Sequence, residues 1–515
     1  MSRRALVIGS GPNGLAAAIR LAEAGQEITV IEAAHALGGA VRTEELTLPG
    51  FRHDVFSSVY PAAAASPVFG RMPLARFGLE WVQPGACSAH PLSEGRALAL
   101  YRDVDATAAG LDAAQPGDGE RWAGFVRPLL DAFDSVRATM LSGFPPLSGP
   151  LKLLFDAGPA ETLRFGLLVP GSAQRLGRRL FESGDARAWL YGAAGHGDTP
   201  PDAPGSAIAA AYLNLLGHAV GWPSPRGGAQ GLTDALVGYL SDLGGSLRTG
   251  ATVATVEARN GRVSGVRLAG GEPIGADTVI ATVMPRALIA MAGQHLRAGY
   301  RRLLARYRYG PATIKVDWAL DGPIPWLAPA AREAGTVHVS GGERELEATI
   351  AESSHGLPER PFLLLGQQTV ADPTRAPTGK HTAWAYTHGP ATGVNWTKEQ
   401  DRHVERIEAQ VERYAPGFRD LILARHVLGP TDLEARDRNL IAGDVGGGSY
   451  RLDQVIFRPL PSLSPYRTPV RGLYLGSAAT FPGGAAHGVS GDAAANAALA
   501  DEHRLGRALR LSRPW

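Results

Sequence analysis

Three glycines and one acid near the N-terminus have the spacing of a dinucleotide-binding site. Gly9, Gly11 and Gly14 fit the pattern G-x-G-x-x-G, and Glu32 follows eighteen residues after the last glycine. The first glycine permits a tight turn, the second lets a pyrophosphate approach the backbone, and the third lets a helix pack closely on a strand. A carboxylate at position 32 would accept hydrogen bonds from ribose hydroxyls and would repel a 2′-phosphate, which argues against NADP.

The segments around these residues have the patterns that a nucleotide site needs. Residues 5–8 predict a buried parallel strand, residues 15–24 predict a helix rich in Ala and Leu, and residues 27–31 predict a second strand that ends at the acid. The free N–H groups and the positive dipole end of the helix would hold the phosphates. The sequence therefore predicts a Rossmann-type unit at the N-terminus.

A second glycine pair follows the ribose acid and indicates which nucleotide is bound. The run LGGAVRT, residues 37–43, contains Gly39, Arg42 and Thr43. It resembles the extended motif of the flavoproteins with two dinucleotide-binding domains, in which the nucleotide is FAD. We expect the FAD to be non-covalent, because the lone Cys87 lies in no recognised attachment motif.

The bulk properties exclude several classes of function. The 515 residues suffice for two or three domains, and the net charge of +2 offers no long-range field for nucleic acid. Cys87 is the single cysteine, which excludes an intrachain disulfide and a C-x-x-C redox pair. We also predict no metal site.

The location of the protein follows from its apolar runs. The first strand begins by residue 5, which leaves no room for a signal peptide, and no run of eighteen uncharged apolar residues predicts a spanning helix. We expect a cytoplasmic protein, and peripheral contact with a membrane stays open.

The middle of the chain alternates between helical and β-rich segments. Residues 105–183 predict amphipathic helices whose apolar faces form core or, alternatively, line a substrate tunnel or a lipid-facing entrance. Asn260-Gly261 predicts a hairpin turn, and residues 276–282 predict a buried strand that returns to the nucleotide sheet. Further strand candidates, which together predict a mixed sheet in a second domain, are residues 313–320, 336–339, 361–368 and 382–387.

The C-terminal segment predicts a second contact with the cofactor. A short buried strand at residues 472–476 leads into a Gly-rich loop and then into a helix of small residues. N–H groups at the start of that helix would stabilise negative charge on one edge of a reduced flavin.

Six motifs, in this order, resemble those of the phytoene-desaturase-related FAD oxidoreductases. They resemble most closely the branch of pyridine nucleotide-disulphide oxidoreductase domain-containing protein 2, although a single cysteine cannot support disulfide chemistry. The motifs are GSGPNGLAAA, LGGAVRT, GHAVGWPSPRGGAQGLTDAL, ADTVIATVMP, GGGSYRLDQVIFRPLP and GLYLGSAATFPGGAAHGVSGDAAANAA.

The resemblance implies an α/β fold with a Rossmann-type FAD-binding domain and an inserted α+β substrate domain of mixed sheet and helices. The FAD-binding domain would be discontinuous, at residues 1–75, 226–290 and 430–515. The substrate-binding, helical cap domain would comprise residues 76–225 and 291–429.

The resemblance also implies roles for matched positions. The ADP half would be held by Gly9, Gly11, Gly14 and Glu32. The pyrophosphate and ribityl chain would be flanked by Gly39, Arg42 and Thr43. Adenine would be contacted by the backbone of Val253, and the flavin would be bordered by Gly476, Gly483, Gly484, Val489 and Gly491.

Two departures bear on the substrate. Phe481 replaces the histidine of a common Thr-His-Pro-Gly run, and Asp492 replaces a small neutral residue.

These features predict an FAD-dependent oxidoreductase that takes a hydride from a C–C or C–N bond of an apolar or amphipathic small molecule, as carotenoid desaturases do. Oxygen or a quinone would then reoxidise the flavin. His487, His53 and His218 are the candidates for a catalytic base, because histidine most readily exchanges a proton near neutral pH.

Three alternatives stay open. An amine-oxidase-like flavoenzyme would place an aromatic pair, drawn from Tyr60, Trp222 and Tyr450, beside the flavin. A redox-neutral isomerase or an ene-reductase would use the same cofactor. A flavoprotein scaffold would bind a partner with little turnover.

Overall fold

Strands and helices alternate along residues 3–511, the part of the chain that a computed structural model describes. The strands are β1 Arg4–Ile8, β2 Glu27–Ile31, β3 Thr43–Glu44, β4 His53–Asp54, β5 Trp81–Val82, β6 Ala86–Pro91, β7 Ala97–Leu100, β8 Ser224–Pro225, β9 Ser246–Arg248, β10 Val253–Arg259, β11 Arg262–Leu268, β12 Pro273–Gly275, β13 Thr278–Ala281, β14 Ala312–Leu320, β15 Ala334–Val339, β16 Leu363–Gly366, β17 His381–Gly389, β18 Ile422–Leu428 and β19 Leu473–Leu475.

The helices include short ones of a single turn. They are α1 Pro12–Glu23, α2 Pro61–Ala64, α3 Val104–Ala114, α4 Asp118–Asp131, α5 Phe133–Met140, α6 Ser148–Gly166, α7 Ala173–Leu180, α8 Gly184–Ala194, α9 Ser206–Val220, α10 Gln230–Asp242, α11 Pro285–Ala292, α12 Ala298–Leu304, α13 Pro329–Glu333, α14 Glu343–Ser353, α15 Trp396–Tyr414, α16 Pro430–Arg436, α17 Leu452–Val455 and α18 Val489–Leu511.

A five-stranded parallel sheet carries the N-terminal glycine turn. Its order is β19-β13-β1-β2-β9, so strands from three distant parts of the chain lie side by side. Strand β13 is fully buried, and its side chains and those of β1 share one apolar core. The strands predicted at residues 5–8, 27–31, 276–282 and 472–476 are confirmed, as is the α/β fold class.

A three-stranded antiparallel sheet, β10-β11-β12, follows β9 and leads back to β13. Asn260 has φ of 50° and Gly261 has φ of 72°, the left-handed conformation that a two-residue primed turn requires. The predicted hairpin at Asn260-Gly261 is therefore confirmed.

A seven-stranded mixed sheet forms the second large layer, with the order β18-β14-β17-β16-β15-β6-β7. Strand β15 pairs with β6 in parallel, and its other neighbour, β16, is antiparallel. The strands predicted within residues 313–387 are confirmed. Strands β6, β7 and β18 have no counterpart among the predicted strands.

The register gives this sheet two faces of different chemistry. Ile314, Val316 and Trp318 point to one face, where they pack with Ile407 and Val411 of α15. Residues between them in the sequence point to the other face, which is the polar one. One face of the sheet is therefore covered by the apolar core, and the other face carries polar side chains.

Helices α3 to α7 occupy residues 105–183, the region that the sequence predicts to be helical, and α8 and α9 follow it. Trp122 is fully buried and meets the ring of Trp189 edge-on, with ring centroids 5.1 Å apart. The apolar face expected to run through residues 129–140 is divided at Ala132, where α4 ends and α5 follows. Within residues 3–511, none of the helices is both long and apolar enough to cross a bilayer.

The packing of Trp318 yields a first prediction. Its ring meets that of Phe418 edge-on at 5.3 Å, and its indole N–H donates to Oε1 of Glu408 at 2.9 Å. Trp318→Ala should therefore lower the free energy of unfolding by about 3–5 kcal/mol, through a cavity and the loss of the hydrogen bond to Glu408. Urea titration followed by circular dichroism measures this loss. Leu423→Ala on the half-exposed β18 is the control, and equal midpoints for the two variants would contradict the assignment.

Candidate active site

Two of the predicted glycines are required by the protein's own packing. Gly9 has φ of 99°, and a Cβ there would lie 2.7 Å from Oγ1 of Thr282. A Cβ at Gly14 would overlap the carbonyl oxygen of Gly9. These contacts let α1 start directly on the end of β1.

Gly11 is different, because none of the described atoms lies within 4 Å of the position of its Cβ. It precedes α1 in an extended conformation, and none of the described side chains caps the N-terminus of that helix. Near this turn, Oδ1 of Asn13 and Nε of Arg42 are buried and have no hydrogen-bond partner in residues 3–511. Open space, free helix N–H groups and orphaned polar atoms together fit a bound dinucleotide phosphate.

Glu32 lies at the end of β2, where the ribose acid is predicted. Its Oε2 accepts hydrogen bonds from the backbone N–H and the hydroxyl of Ser10, both at 2.8 Å, and its Oε1 accepts from the N–H of Ala34 at 2.9 Å. The hydroxyl of Ser10 in turn accepts from the N–H of Gly38 at 3.1 Å. Glu32 thus ties the first glycine turn to the second.

The second glycine turn packs on the first. A Cβ at Gly39 would lie 3.1 Å from Cα of Gly11. The guanidinium of Arg42 is 7% exposed, stands over the ring of Phe56 at 5.5 Å, and lies 4.0 Å from the carboxylate of Glu44. The structure therefore brings residues 9–14 and 37–42 together, as the motif predicts.

Thr43 and Val253 hold neighbouring backbone in place. The hydroxyl of Thr43 donates to Oδ1 of Asp54 at 2.7 Å and accepts from the N–H of Gln230 at 3.1 Å. Val253 begins β10, two residues after Ala251, whose N–H donates to the backbone oxygen of Glu32 at 2.9 Å. Val253 is therefore close to the predicted ribose position.

The start of α18 lies against the start of α1. A Cβ at Gly491 would overlap the carbonyl oxygen of Asn13, and a Cβ at Gly476 would lie 2.9 Å from the Cβ of Ala494. Val489, the first residue of α18, is buried. The C-terminal segment thus reaches the N-terminal turn, and the two predicted halves of the cofactor site are contiguous.

Gly483 and Gly484 lie in the loop before α18 and contact an aromatic side chain of another segment. The N–H of Gly484 donates to the hydroxyl of Tyr450 at 2.9 Å, and the N–H of Tyr450 donates to Oδ1 of Asp198 at 2.7 Å. The buried guanidinium of Arg458 lies beneath, 5.0 Å from the ring centroid of Tyr450. Tyr450 therefore joins this loop to the turn after α8.

The three predicted histidines lie in three different environments. Nδ1 of His487 accepts from the N–H of Val489 at 3.0 Å, so His487 sits at the start of α18. His53 lies on β4, with Nε2 2.8 Å from the hydroxyl of Thr47. His218 lies in the helical region, where the indole of Trp122 donates to its Nε2 at 3.1 Å. Burial lowers the pKa of His487 and His218 to about 4 and that of His53 to about 3.

A buried cluster of charges that sequence reasoning missed lies beside His53. Nζ of Lys315 donates to the backbone oxygen of Asp54 at 3.0 Å and to the carboxylate of Asp317, and Arg375 pairs with Asp54 at 2.8 Å. Burial raises the pKa of Asp317 to about 6 against the opposing effect of Lys315. His53 is neutral at pH 7, so its 3.7 Å contact with Asp317 is not an ion pair there. The positive charges of Lys315 and Arg375 thus lie beside the acids Asp54 and Asp317, between β4 and β14.

A second set that sequence reasoning missed covers the polar face of the seven-stranded sheet. The register places Lys315 opposite Tyr386, and Thr313 opposite His388, on adjacent strands. His338 of β15 lies on the same sheet, and its Nε2 is 2.9 Å from Nε2 of His196. Hence this face carries imidazoles and aromatic rings. We call it the polar sheet face.

The histidines of the polar sheet face are neutral. Burial lowers the pKa of His196 to about 3 and that of His388 to about 4, and it lowers the pKa of His338 strongly. Nδ1 of His338 and Nε2 of His388 are buried without a hydrogen-bond partner in the described chain. Such orphaned atoms are unusual in native cores and are expected where a ligand binds. Within residues 3–511, no group of three or more His, Cys, Asp or Glu could hold a metal ion.

Tyr60, Trp222 and Tyr450, the candidates for the aromatic pair of an amine-oxidase-like site, have no ring contact with one another in the described chain. Within the described chain, their ring contacts are with other side chains: Tyr60 with Trp81, Trp222 with His196 and His338, and Tyr450 with Arg458. The rings of Trp384 and Tyr386 instead stack at 5.9 Å and 7° on β17.

A glycine turn on a parallel sheet, a second glycine turn packed on it, and a C-terminal helix that begins beside both define an FAD-dependent oxidoreductase. The chain matches the family described as flavin containing amine oxidoreductase over residues 13–499. It therefore belongs to that family, and FAD is its cofactor.

The chain is also similar to individual proteins over most of its length. It is 31% identical over 552 aligned residues to the rat protein named pyridine nucleotide-disulfide oxidoreductase domain-containing protein 2, covering 96% of this chain and 93% of the relative. It is 27% identical to the neurosporene-forming phytoene desaturase of Rhodobacter capsulatus, covering 95% and 92%. A solved putrescine oxidase, a triple mutant, shares the fold with a TM-score of 0.62 at 18% identity, covering 97% and 99%. The predicted resemblance to phytoene-desaturase-related oxidoreductases is confirmed.

The open space at Gly11 yields a prediction about the cofactor. Gly11→Val should strip FAD from a folded protein, because its side chain would occupy the space of the pyrophosphate and meets no described protein atom. Gly70→Val, at another glycine with open space, should keep its FAD. The measurements are the flavin absorbance per protein and the melting temperature. A yellow Gly11→Val protein with wild-type FAD content would contradict the assignment.

The buried neutral histidines yield a prediction about acid. Their folded-state pKa values lie below 6.5, so the unfolded chain binds protons first as the pH falls, and stability is lost from about pH 6.5 toward pH 4. Each such group costs up to about 1.4 kcal/mol per pH unit in that window, and Asp317 offsets one of them because its folded pKa is raised. Urea midpoints at saturating FAD should fall between pH 7 and pH 5. A midpoint equal or higher at pH 5 would show that the histidines are charged in the fold.

Proposed function

We propose that this FAD-dependent oxidoreductase takes a hydride from a C–C or C–N bond of an apolar or amphipathic small molecule. The observation that carries the proposal is the polar sheet face, where aromatic rings surround neutral imidazoles. The nearby charges of Lys315, Asp317, Asp54 and Arg375 already pair with one another. Such a surface suits a neutral molecule with an apolar body and a hydrogen-bonding group.

The residues assigned to the cofactor divide into two groups. The turns at Gly11 and Gly39, with Glu32 and Arg42, would hold the ADP half, while the loop at residues 483–491 would border the flavin ring. When bound, the flavin supplies the hydride acceptor. Tyr450 connects this loop to Asp198 and so to the turn that carries His196, which supports a substrate position between the loop and the polar sheet face.

A strong protein base is not part of the proposal. The candidates for a base are still His487, His53 and His218. Their pKa values of about 3–4 lie well below the value that suits a general base near neutral pH. Hydride removal would then depend mainly on positioning and on a dry site. Of the three, His487 is the one adjacent to the flavin loop.

The proposal also covers the domain boundaries, the electron acceptor and the location of the protein. We propose that residues 1–75, 226–290 and 430–515 form the FAD-binding domain and that residues 76–225 and 291–429 form the substrate domain. We also propose oxygen or a quinone as the electron acceptor and the cytoplasm as the location, with contact at a membrane surface.

An amine-oxidase-like activity is the second candidate. The stacked rings of Trp384 and Tyr386, in register with Lys315, favour it, because a pair of rings can orient a neutral amine beside a flavin. Anaerobic reduction of the flavin by matched amines, alcohols and hydrocarbons separates this candidate from the leading one. If none of them reduces the flavin, a redox-neutral reaction or a low-turnover scaffold is favoured.

The turn at residues 446–448 is a poor place for a second nucleotide, and this yields a prediction. The glycines at residues 446–448 form a turn held by the carboxylate of Asp444, and they lead into α17, a helix of only four residues. NADH and NADPH should therefore not bleach the flavin band in anaerobic stopped-flow mixing. Bleaching within the ordinary enzymatic range of roughly 1–10³ per second would reverse the proposal and favour a reductase.

A further inference from the structure

Helix α6 and its flanks expose large apolar side chains to solvent. Six of them, each 40–79% exposed, form what we call the α6 apolar surface: Leu147, Leu151, Leu154, Phe155, Leu163 and Leu167. In the described chain these are six of the eleven large hydrophobic side chains that are at least 40% exposed. Such a concentration marks an interaction site rather than ordinary surface.

The helical period explains why these side chains share a surface. Leu147, Leu151 and Phe155 recur every four residues, and Leu163 and Leu167 repeat that spacing after a break at Gly158, where φ is 80°. Leu153 and Phe165 point inward and are buried in the helical core. The helix is therefore apolar on both sides, with one side covered by protein and the other uncovered.

Exposed basic side chains occur on α6 itself and on α7, the next helix along the chain. Lys152 is exposed on the helix itself. Helix α7, which begins six residues after Leu167, buries one face and exposes Arg175, Arg178 and Arg179 on the other. In the described chain none of these four cations forms an ion pair with an acid, whereas Arg164 is paired with Glu161. Uncovered apolar groups and unpaired positive charge thus occur together on α6, and further unpaired positive charge follows on α7.

The α6 apolar surface begins next to the flavin loop. The ring of Phe144, three residues before Leu147, meets the ring of Phe481 at 5.4 Å and the half-exposed ring of Phe457 at 5.7 Å. The hydroxyl of Tyr466 accepts from the N–H of Phe144 at 2.9 Å and donates to the carbonyl of Phe481 at 3.0 Å. An apolar path therefore connects the exposed surface with the loop that precedes α18.

We propose that the α6 apolar surface docks on the headgroup region of an anionic phospholipid membrane. Apolar side chains would enter the boundary between headgroups and acyl chains, and the four unpaired cations would face anionic lipids. The inference rests on the proposed function in one respect: an apolar substrate dissolved in the membrane would enter beside the flavin loop. The charge complementarity favours a lipid surface over a second copy of the chain, because a second copy would bring the same positive charges together.

The test is flotation of the yellow holoenzyme with vesicles. Wild type should float with vesicles of phosphatidylcholine mixed with phosphatidylglycerol, more weakly with pure phosphatidylcholine, and less as salt is raised. The double variant Leu151→Ser with Phe155→Ser should reduce the partition coefficient by about tenfold or more, since several buried CH₂ groups are lost. Leu423→Ser, an exposed leucine on β18, is the matched control and should float as wild type does.

A second variant separates the contribution of charge. Arg178→Gln with Arg179→Gln should weaken binding to the anionic vesicles by about fivefold for each charge removed, at low salt, and should leave binding to pure phosphatidylcholine unchanged. All variants should keep wild-type FAD content and melting temperature, because the altered side chains are exposed. FAD content and substrate reduction, measured on the same samples, report on the proposed function independently of membrane binding.

Three outcomes would overturn the inference. The first is that the wild-type holoenzyme fails to float with anionic vesicles. The second is that the Leu151 and Phe155 double variant floats as well as wild type. The third is that sedimentation shows a dimer that the same double variant dissociates, which would assign the surface to a second copy. Loss of FAD in the control Leu423→Ser would concern the fold and not the surface.

Discussion

The structure depends on two helices that begin against each other. Gly491 at the start of α18 lies on the backbone of Asn13 at the start of α1, so closely that a single added carbon would overlap it. The N-terminus of each helix carries partial positive charge, and placing two such ends together is unfavourable unless negative charge lies between or beside them. This arrangement explains why the site suits an anionic dinucleotide. It also explains why Gly14 and Gly39 are required: each lets backbone approach backbone around the same point.

A second constraint acts between β4 and the seven-stranded sheet. The carboxylate of Asp54 on β4 forms an ion pair with Arg375. The backbone oxygen of Asp54 accepts a hydrogen bond from Lys315 of β14, and its Oδ1 accepts one from the N–H of Ala229 just before α10. These groups are almost fully buried, so each depends on its partners for the interactions that water would otherwise supply. The cluster orients β14, which lies beside β17 in the sheet that carries the polar sheet face. Cofactor side and substrate side are thus linked by charge as well as by chain.

The sequence predicted the FAD cofactor and the strands and helix of the first glycine turn, because the rules for such a unit are local. G-x-G-x-x-G, a second glycine pair and an acid at a fixed distance each reflect a backbone requirement that neighbouring residues alone decide. The substrate half is not local. Every residue of β6 is buried, so the strand shows no alternation between apolar and polar residues that would reveal it. His338 and His388 are far apart in sequence, and the pairing of β15, β16 and β17 brings them to one face, where the turn after α8 adds His196. Lys315 and Arg375 look like ordinary surface cations until their burial is known.

The interleaving of the two sheets affects how the chain is made. Strands β1 and β2 leave the ribosome early, yet β9 follows after about 200 residues, β13 follows β9, and the sheet is completed only when β19 emerges near the end. At a synthesis rate of about 5–20 residues per second, these apolar strands wait roughly 10–40 seconds for their next partner. During that time their edges are open to pairing with other chains. We expect this protein to depend on chaperones during synthesis more than its final packing suggests, and fragments that end before β19 to aggregate.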